Sequence, residues 1–234
     1  MNSKNKFYLN RTVKKPWGYE YVIYNDSSKI AVTFIYIKNG HKTSLHCHPS
    51  KKTAFIVLDG KASVQIGIYK ENKRIYKSLS RLVLRPGLFH CLEAVSKKGL
   101  YALEFETPYD KNDLLRFKDK YGRKSKNYEG LQHTKKNLNK DLVKFKKPKV
   151  SKKNLYELNE TKVSIEAIKN FKEKINRNDS STSAILDGSI VNDKGQKVIS
   201  HGEVVKTKTL EIFCKNFKIK NKLVILKVSK NKSR

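Results

Sequence analysis

Cysteine is scarce: Cys47, Cys91 and Cys214 are the whole complement of a 234-residue chain. An odd number of thiols with no CxxC pair excludes a disulfide framework and fits a reducing compartment. Long apolar runs are missing too. No stretch approaches the roughly 18 residues of a membrane span, and Met1 to Lys15 is polar and basic without an apolar signal core. A cytoplasmic protein with no membrane partner is expected. Acidic residues are also few, 21 Asp and Glu against 52 Lys and Arg, for a net charge of +31. Nucleic-acid binding by counterion release needs those cations focused in a patch, whereas here lysine runs through the whole length. The expectation is a solvated basic surface whose field draws in small anions, with no specific nucleic-acid partner.

Hydrophobic residues make up 38% of the chain, with 12 Tyr and 10 Phe, enough apolar surface to build packed sheets. From Lys29 to Phe105 the pattern reads as short strands. Ile30 to Ile37 is β-branched and aromatic. Phe55 to Leu58 enters an Asp59-Gly60 turn and Ala62 to Tyr69 leaves it, which predicts a hairpin. Leu79 to Leu84, a Pro86-Gly87 break and Leu100 to Phe105 complete the spacing of a β-sandwich or barrel.

Lys124 to Lys153 is rich in Lys and Asn and reads as a linker, or as an edge wrapping over a first domain of residues 1–123. In residues 154–234, Ser164 is placed to cap a helix carrying Ile165, Ile168, Phe171 and Ile175. Ala184-Ile185-Leu186-Asp187-Gly188 then echoes Ile56-Val57-Leu58-Asp59-Gly60, and Leu223 to Val228 is a closing apolar run. A weak internal repeat follows, and a second β-barrel lobe is expected. An offset of 128 residues sets Lys174 and Asn176 opposite His46 and His48, so this lobe lacks their imidazoles.

His46 and His48 are one residue apart, and on a strand both imidazoles then face the same way. Cys47 points to the opposite face as a packing residue, and so does Cys91 beside His90. His90 follows the Pro86-Gly87 turn, which can bring its strand beside the pair. Three imidazoles suit Zn above all, or Mn, Fe or Ni, with positions left open for substrate.

Gly40, His46, His48 and Gly60, followed by Gly87 and His90, fall at the spacing of the two cupin motifs. The chain resembles the type II mannose-6-phosphate isomerase domain more closely. The likeness rests on Lys15-Pro16-Trp17-Gly18-Tyr19-Glu20 ahead of the barrel, Ser44-Leu45 before the histidines, and the tail Asn112-Asp113-Leu114-Leu115-Arg116-Phe117-Lys118-Asp119-Lys120-Tyr121-Gly122-Arg123. Together these span about residues 12–123. The resemblance implies a mainly β cupin (double-stranded β-helix) barrel, here a bicupin with a degenerate second lobe. It also implies aldose–ketose isomerisation of a hexose 6-phosphate in sugar-nucleotide or surface-polysaccharide metabolism, and a homodimer is common among such folds.

Metal ligands would be His46, His48 and His90. Glu106, or Glu104 on the same strand face, would be the base. Arg116 and Arg123, backed by Lys15, would hold the phosphate, although Arg116 could instead pair with Asp113 or Asp119. Trp17 is expected to plug the barrel end. The chain departs from the family where Thr53 replaces a metal-binding Glu, His46 replaces a frequent Gln, Arg85 a Pro and Ala94 an Asn. The loss at Thr53 also supports a sugar-binding or structural cupin without catalysis, or a three-histidine metal dioxygenase.

Overall fold

A computed structural model describes residues 3–27, 29–137, 142–171 and 179–231. The chain divides into two compact units, residues 1–144 and 145–234. A short helix α1 (Ser3–Phe7) opens the first unit, and eleven strands follow. They are β1 (Arg11–Lys15), β2 (Gly18–Asp26), β3 (Ile30–Ile37), β4 (Leu45–Cys47), β5 (Lys52–Ile66), β6 (Lys73–Lys77), β7 (Arg81–Leu84), β8 (His90–Ala94), β9 (Leu100–Thr107), β10 (Leu115–Lys118) and β11 (Thr134–Lys136). Their order is β10-β4-β8-β5-β9-β3-β2-β1-β11, with β6 and β7 also on β5, and every pairing is antiparallel. This is a mainly β cupin fold. Among the described residues, no helix is long and apolar enough to cross a membrane.

The predicted hairpin at Asp59-Gly60 is instead one continuous strand. β5 pairs with β7 and β9 through residues 52–60, then with β6 and β8 through residues 61–66, so it belongs to both faces of the barrel. A bulge between Val57 and Asp59 shifts its register and turns it from one sheet to the other. Gly60 adopts φ +83°, its N–H donates to Asp59 Oδ1 at 2.6 Å, and a Cβ there would sit 2.1 Å from the Gly99 carbonyl oxygen. An Asp-Gly pair thus serves a bulge as well as a hairpin turn, because both need a left-handed residue. Trp17, Ile35, Ile37, Phe55, Val64, Leu84, Leu92 and Leu100 form the apolar core, with Trp17 only 4% exposed.

Of the stretch read as a linker, Thr134–Lys136 is β11 and pairs with β1 in the first unit. The second unit holds β12 (Lys153–Leu158), β13 (Thr161–Ile168), β14 (Thr182–Val191), β15 (Lys197–Ser200), β16 (Val204–Lys206), helix α2 (Thr207–Asn216) and β17 (Lys218–Lys230). The helix expected after Ser164 is strand β13. Val163, Ile165 and Ala167 alternate into the core and pair with β17. Spacings of three residues fit a helix, but here the period of two in a β-branched stretch prevails. Phe171 lies beyond the strand and packs on the second core, and Ile175 falls outside the described residues, as do Lys174 and Asn176.

The strand order of the second unit, β12-β13-β17-β14, with β15 and β16 on β14, follows the first unit's β2-β3-β9-β5, with β6 and β7 on β5. Gly188 repeats Gly60 in detail. It has φ +88°, its N–H donates to Asp187 Oδ1 at 2.9 Å, and a Cβ would meet the Lys222 carbonyl oxygen at 2.0 Å. In chain order, α2 stands where the first unit has β8, the strand of His90.

Candidate metal centre and its charged pocket

Strand order assembles the site. β4 lies between β8 and β10, with His46 opposite both His90 and Arg116, so these three side chains share one face of the sheet. His48 follows two residues on, and the Gly87 N–H donates to its carbonyl oxygen at 2.8 Å. That bond ties the Pro86-Gly87 turn to the histidine pair. The ligand-capable nitrogens of His46, His48 and His90 all lie within 4.8 Å of one another.

Each ring is oriented through its other nitrogen. Nδ1 of His46 donates to the Ser44 carbonyl at 2.8 Å, Nδ1 of His48 to that of Asp113 at 2.6 Å, and Nδ1 of His90 to that of Leu88 at 3.0 Å. This tautomer leaves the Nε2 lone pairs facing inward, the arrangement that metal-ligating histidines use. Nε2 of His48 and of His90 are buried without a hydrogen-bond partner, which is costly unless something else satisfies them. Burial lowers the pKa of all three. His90 is held near 4, His48 is pushed down further by Lys51 and His90, and His46 is depressed also by its two neighbours. Neutral imidazoles are what a cation requires, so these residues fit a divalent metal.

Thr53 is buried, and its Oγ1 has no hydrogen-bond partner. The carboxylate nearest the histidines comes from β9 instead, with Glu104 Oε1 4.0 Å from His48 Nε2. Burial, and then the charge of Glu106, push its pKa up to about 8. Glu106 is clamped: Lys51 Nζ donates to Oε1 at 2.7 Å, while Lys111 Nζ lies 3.0 Å and Thr33 Oγ1 3.1 Å from Oε2. Burial alone would raise the Glu106 pKa, but Lys111 and Lys51 outweigh it and hold it down to about 2. One carboxylate is therefore held as an anion while its neighbour keeps a proton to higher pH, a difference set by environment.

The three predicted phosphate-binding cations do converge, but on a carboxylate. Glu129 is ion-paired with Lys15, receives a 2.6 Å hydrogen bond from Arg123 Nη1, and lies 3.5 Å from Arg116 Nη2. Arg116 thus pairs with neither Asp113 nor Asp119. Asp119 binds Arg123, and Asp113 accepts the Ser50 and Lys51 backbone N–H groups. Sequence reasoning missed Lys51, Lys111, Tyr128 and Glu129, all of which belong to this cluster. Cys47 and Cys91 are buried free thiols, as expected of packing residues.

Three converging imidazoles, His48 and His90 buried and His46 half-buried, inside an antiparallel barrel of this order define a cupin with a metal-capable centre. A model of the mannose-6-phosphate isomerase C-terminal family matches residues 2–119. The chain belongs to that family. No curated protein matches it. Similar solved structures include KdgF from Halomonas sp., at 16% identity over 41% of this chain and 84% of that one, TM-score 0.36. A conserved protein with a double-stranded β-helix domain from Klebsiella pneumoniae is 15% identical over 41% and 76%, TM-score 0.37. The capsular polysaccharide assembling protein CapF from Staphylococcus aureus is 16% identical over 46% and 34%, TM-score 0.39.

Proposed function

We propose that this protein is a metal-dependent sugar-phosphate isomerase that interconverts an aldose and a ketose, with mannose 6-phosphate as the substrate to test first. The observation that carries the reading is the juxtaposition of three neutral, inward-facing imidazoles with Glu104, whose pKa is raised to about 8, and a cluster of phosphate-competent cations. His46, His48 and His90 would hold the metal, Zn or else Mn, Fe or Ni. When bound, the metal supplies a Lewis acid for the carbonyl and hydroxyl oxygens of the sugar. In its ionised form, which the raised pKa of about 8 makes a stronger base than an ordinary carboxylate, Glu104 takes the proton from C2 and then, as the acid, returns it at C1. Glu106 stays ionised, keeping Lys51 and Lys111 in place around the reacting carbons. Lys15, Arg116 and Arg123 bind the phosphate and fix the sugar's orientation.

We place the activity in cytoplasmic sugar-nucleotide or surface-polysaccharide metabolism, acting on a small molecule rather than nucleic acid, in a homodimer. The second unit is a degenerate cupin copy, a reading supported by its matching strand order and by the Gly188 bulge. A non-catalytic sugar-binding cupin is the second reading, favoured by Thr53 in place of a carboxylate. The deciding assay is conversion of mannose 6-phosphate to fructose 6-phosphate by protein supplied in turn with Zn, Mn, Fe and Ni. Turnover with at least one metal, abolished by chelation, is expected. Tight sugar binding with no turnover under any metal supports the second reading.

A further inference from the structure

Five cations ring the inner pocket, Lys15, Lys51, Lys111, Arg116 and Arg123, paired with four carboxylates, Glu20, Glu106, Asp119 and Glu129. Glu20 and Glu106 sit on strands, and Asp119 closes a tight turn through the Tyr121 and Arg123 N–H groups at 2.9 Å. Glu129 differs because it arrives on an irregular segment whose residues Lys124 to Asn127 are exposed, while Glu129 itself is buried. Three cations from separate parts of the fold meet its one carboxylate. That is more than a monoanion needs, and it is the donor set for a phosphomonoester. The adjoining Tyr128 ring lies 3.8 Å from Lys15 Nζ, and its hydroxyl donates to Glu20. The space left in the pocket is about 60 Å³, far below the ~300 Å³ at which small-molecule sites begin.

We propose that Glu129 is a built-in occupant of the phosphate subsite, and that a phosphosugar binds by displacing Glu129 and Tyr128 from Lys15, Arg116 and Arg123. The sugar's identity rests on the isomerase reading; the displacement does not. Withdrawing Glu129 leaves Lys15, Arg116 and Arg123 short of the carboxylate they share, a place that an anionic phosphate can take. Most of the tethers that must break are polar: Arg116 Nη1 donates to the Lys126 and Asn127 carbonyls, the Tyr8 hydroxyl to that of Glu129 at 2.8 Å, and the Tyr128 hydroxyl to Glu20. An incoming phosphate replaces the ion pairs, and the Tyr128 ring, which packs edge-on against Tyr8 at 4.9 Å, is the one large side chain that leaves. The binding-competent state is then a fraction of the population, and apparent affinity falls by that fraction.

The test combines calorimetric titration with hydrogen exchange over residues 124–130, using inorganic phosphate, mannose 6-phosphate and mannose as probes. Glu129→Gln keeps the shape and removes the charge. It is expected to bind inorganic phosphate at least tenfold more tightly than wild type. Mannose 6-phosphate should accelerate exchange across 124–130 in the wild type, and mannose should not. Wild type that binds mannose 6-phosphate with exchange unchanged, beside a Glu129→Gln of equal or weaker affinity, overturns displacement and leaves the isomerase reading intact. Tenfold tighter phosphate binding without turnover under any metal upholds displacement and removes the isomerase. The exchange measurement on wild type stands even if the variant does not fold.

Discussion

Glu106→Gln is expected to lower the stability of the first unit by about 3–5 kcal/mol, the usual consequence of removing one partner from a buried ion pair. The side chains of Lys51 and Lys111 are 2% and 4% exposed, and Glu106 accepts from both. Without its charge, Lys51 keeps only the Asp110 carbonyl at 2.8 Å, while Lys111 keeps Glu20 at 3.4 Å. A second change, Lys51→Met, removes the stranded ammonium and should restore at least half of the loss. Urea unfolding midpoints decide it, and a loss below about 1 kcal/mol for the single variant contradicts the clamp. The same pair predicts acid sensitivity. Because the folded pKa is depressed to about 2, the stabilisation is complete above the ordinary carboxylate value near 4.5. It disappears as pH falls from there towards 2.

Glu104→Gln should behave in the opposite way. It leaves no lysine stranded, so the unfolding midpoint and metal content should stay near wild type while kcat for isomerisation falls about 10²–10⁴-fold, the range for losing a general acid–base. A rate within threefold of wild type would move the proton transfer to another group. The contrast between the neighbouring glutamates is the sharper measurement. One substitution acts on stability, and the other on turnover with the fold intact.

Much of the barrel was legible because local pattern and tertiary demand agree there. Ile30 to Ile37 is strand β3 to the residue, a β-branched run buried on both faces. The histidine pair was legible because a period of two fixes a shared face, and the Pro86-Gly87 turn fixes where His90 returns. The Asp59-Gly60 bulge was not legible, since the dipeptide serves hairpin and bulge alike and only the β9 partner across Gly60 decides. β13 was misread for a similar reason. Val163 and Ala167 fix its period of two, and Ile165 and Ile168 alone fit either element.

The charged half of the pocket was the least legible part. Lys15 and Glu129 are 114 residues apart, and Lys51 and Glu106 are 55. Nothing local marks these lysines in a chain with 52 basic residues. Arg116 and Arg123 were found through the tail motif, but their partner Glu129 lies beyond it. The roles of Glu104 and Glu106 could be separated only once Lys51 and Lys111 were placed.

Isomerisation as proposed requires a metal at His46, His48 and His90. Elemental analysis of protein purified without an affinity tag, for wild type and for His48→Ala, tests it most directly. Near-stoichiometric transition metal in wild type and its loss in the variant, with the unfolding transition retained, is the expected result. Wild type that stays metal-free after supply of Zn, Mn, Fe and Ni contradicts the metal centre and leaves a binding or structural cupin.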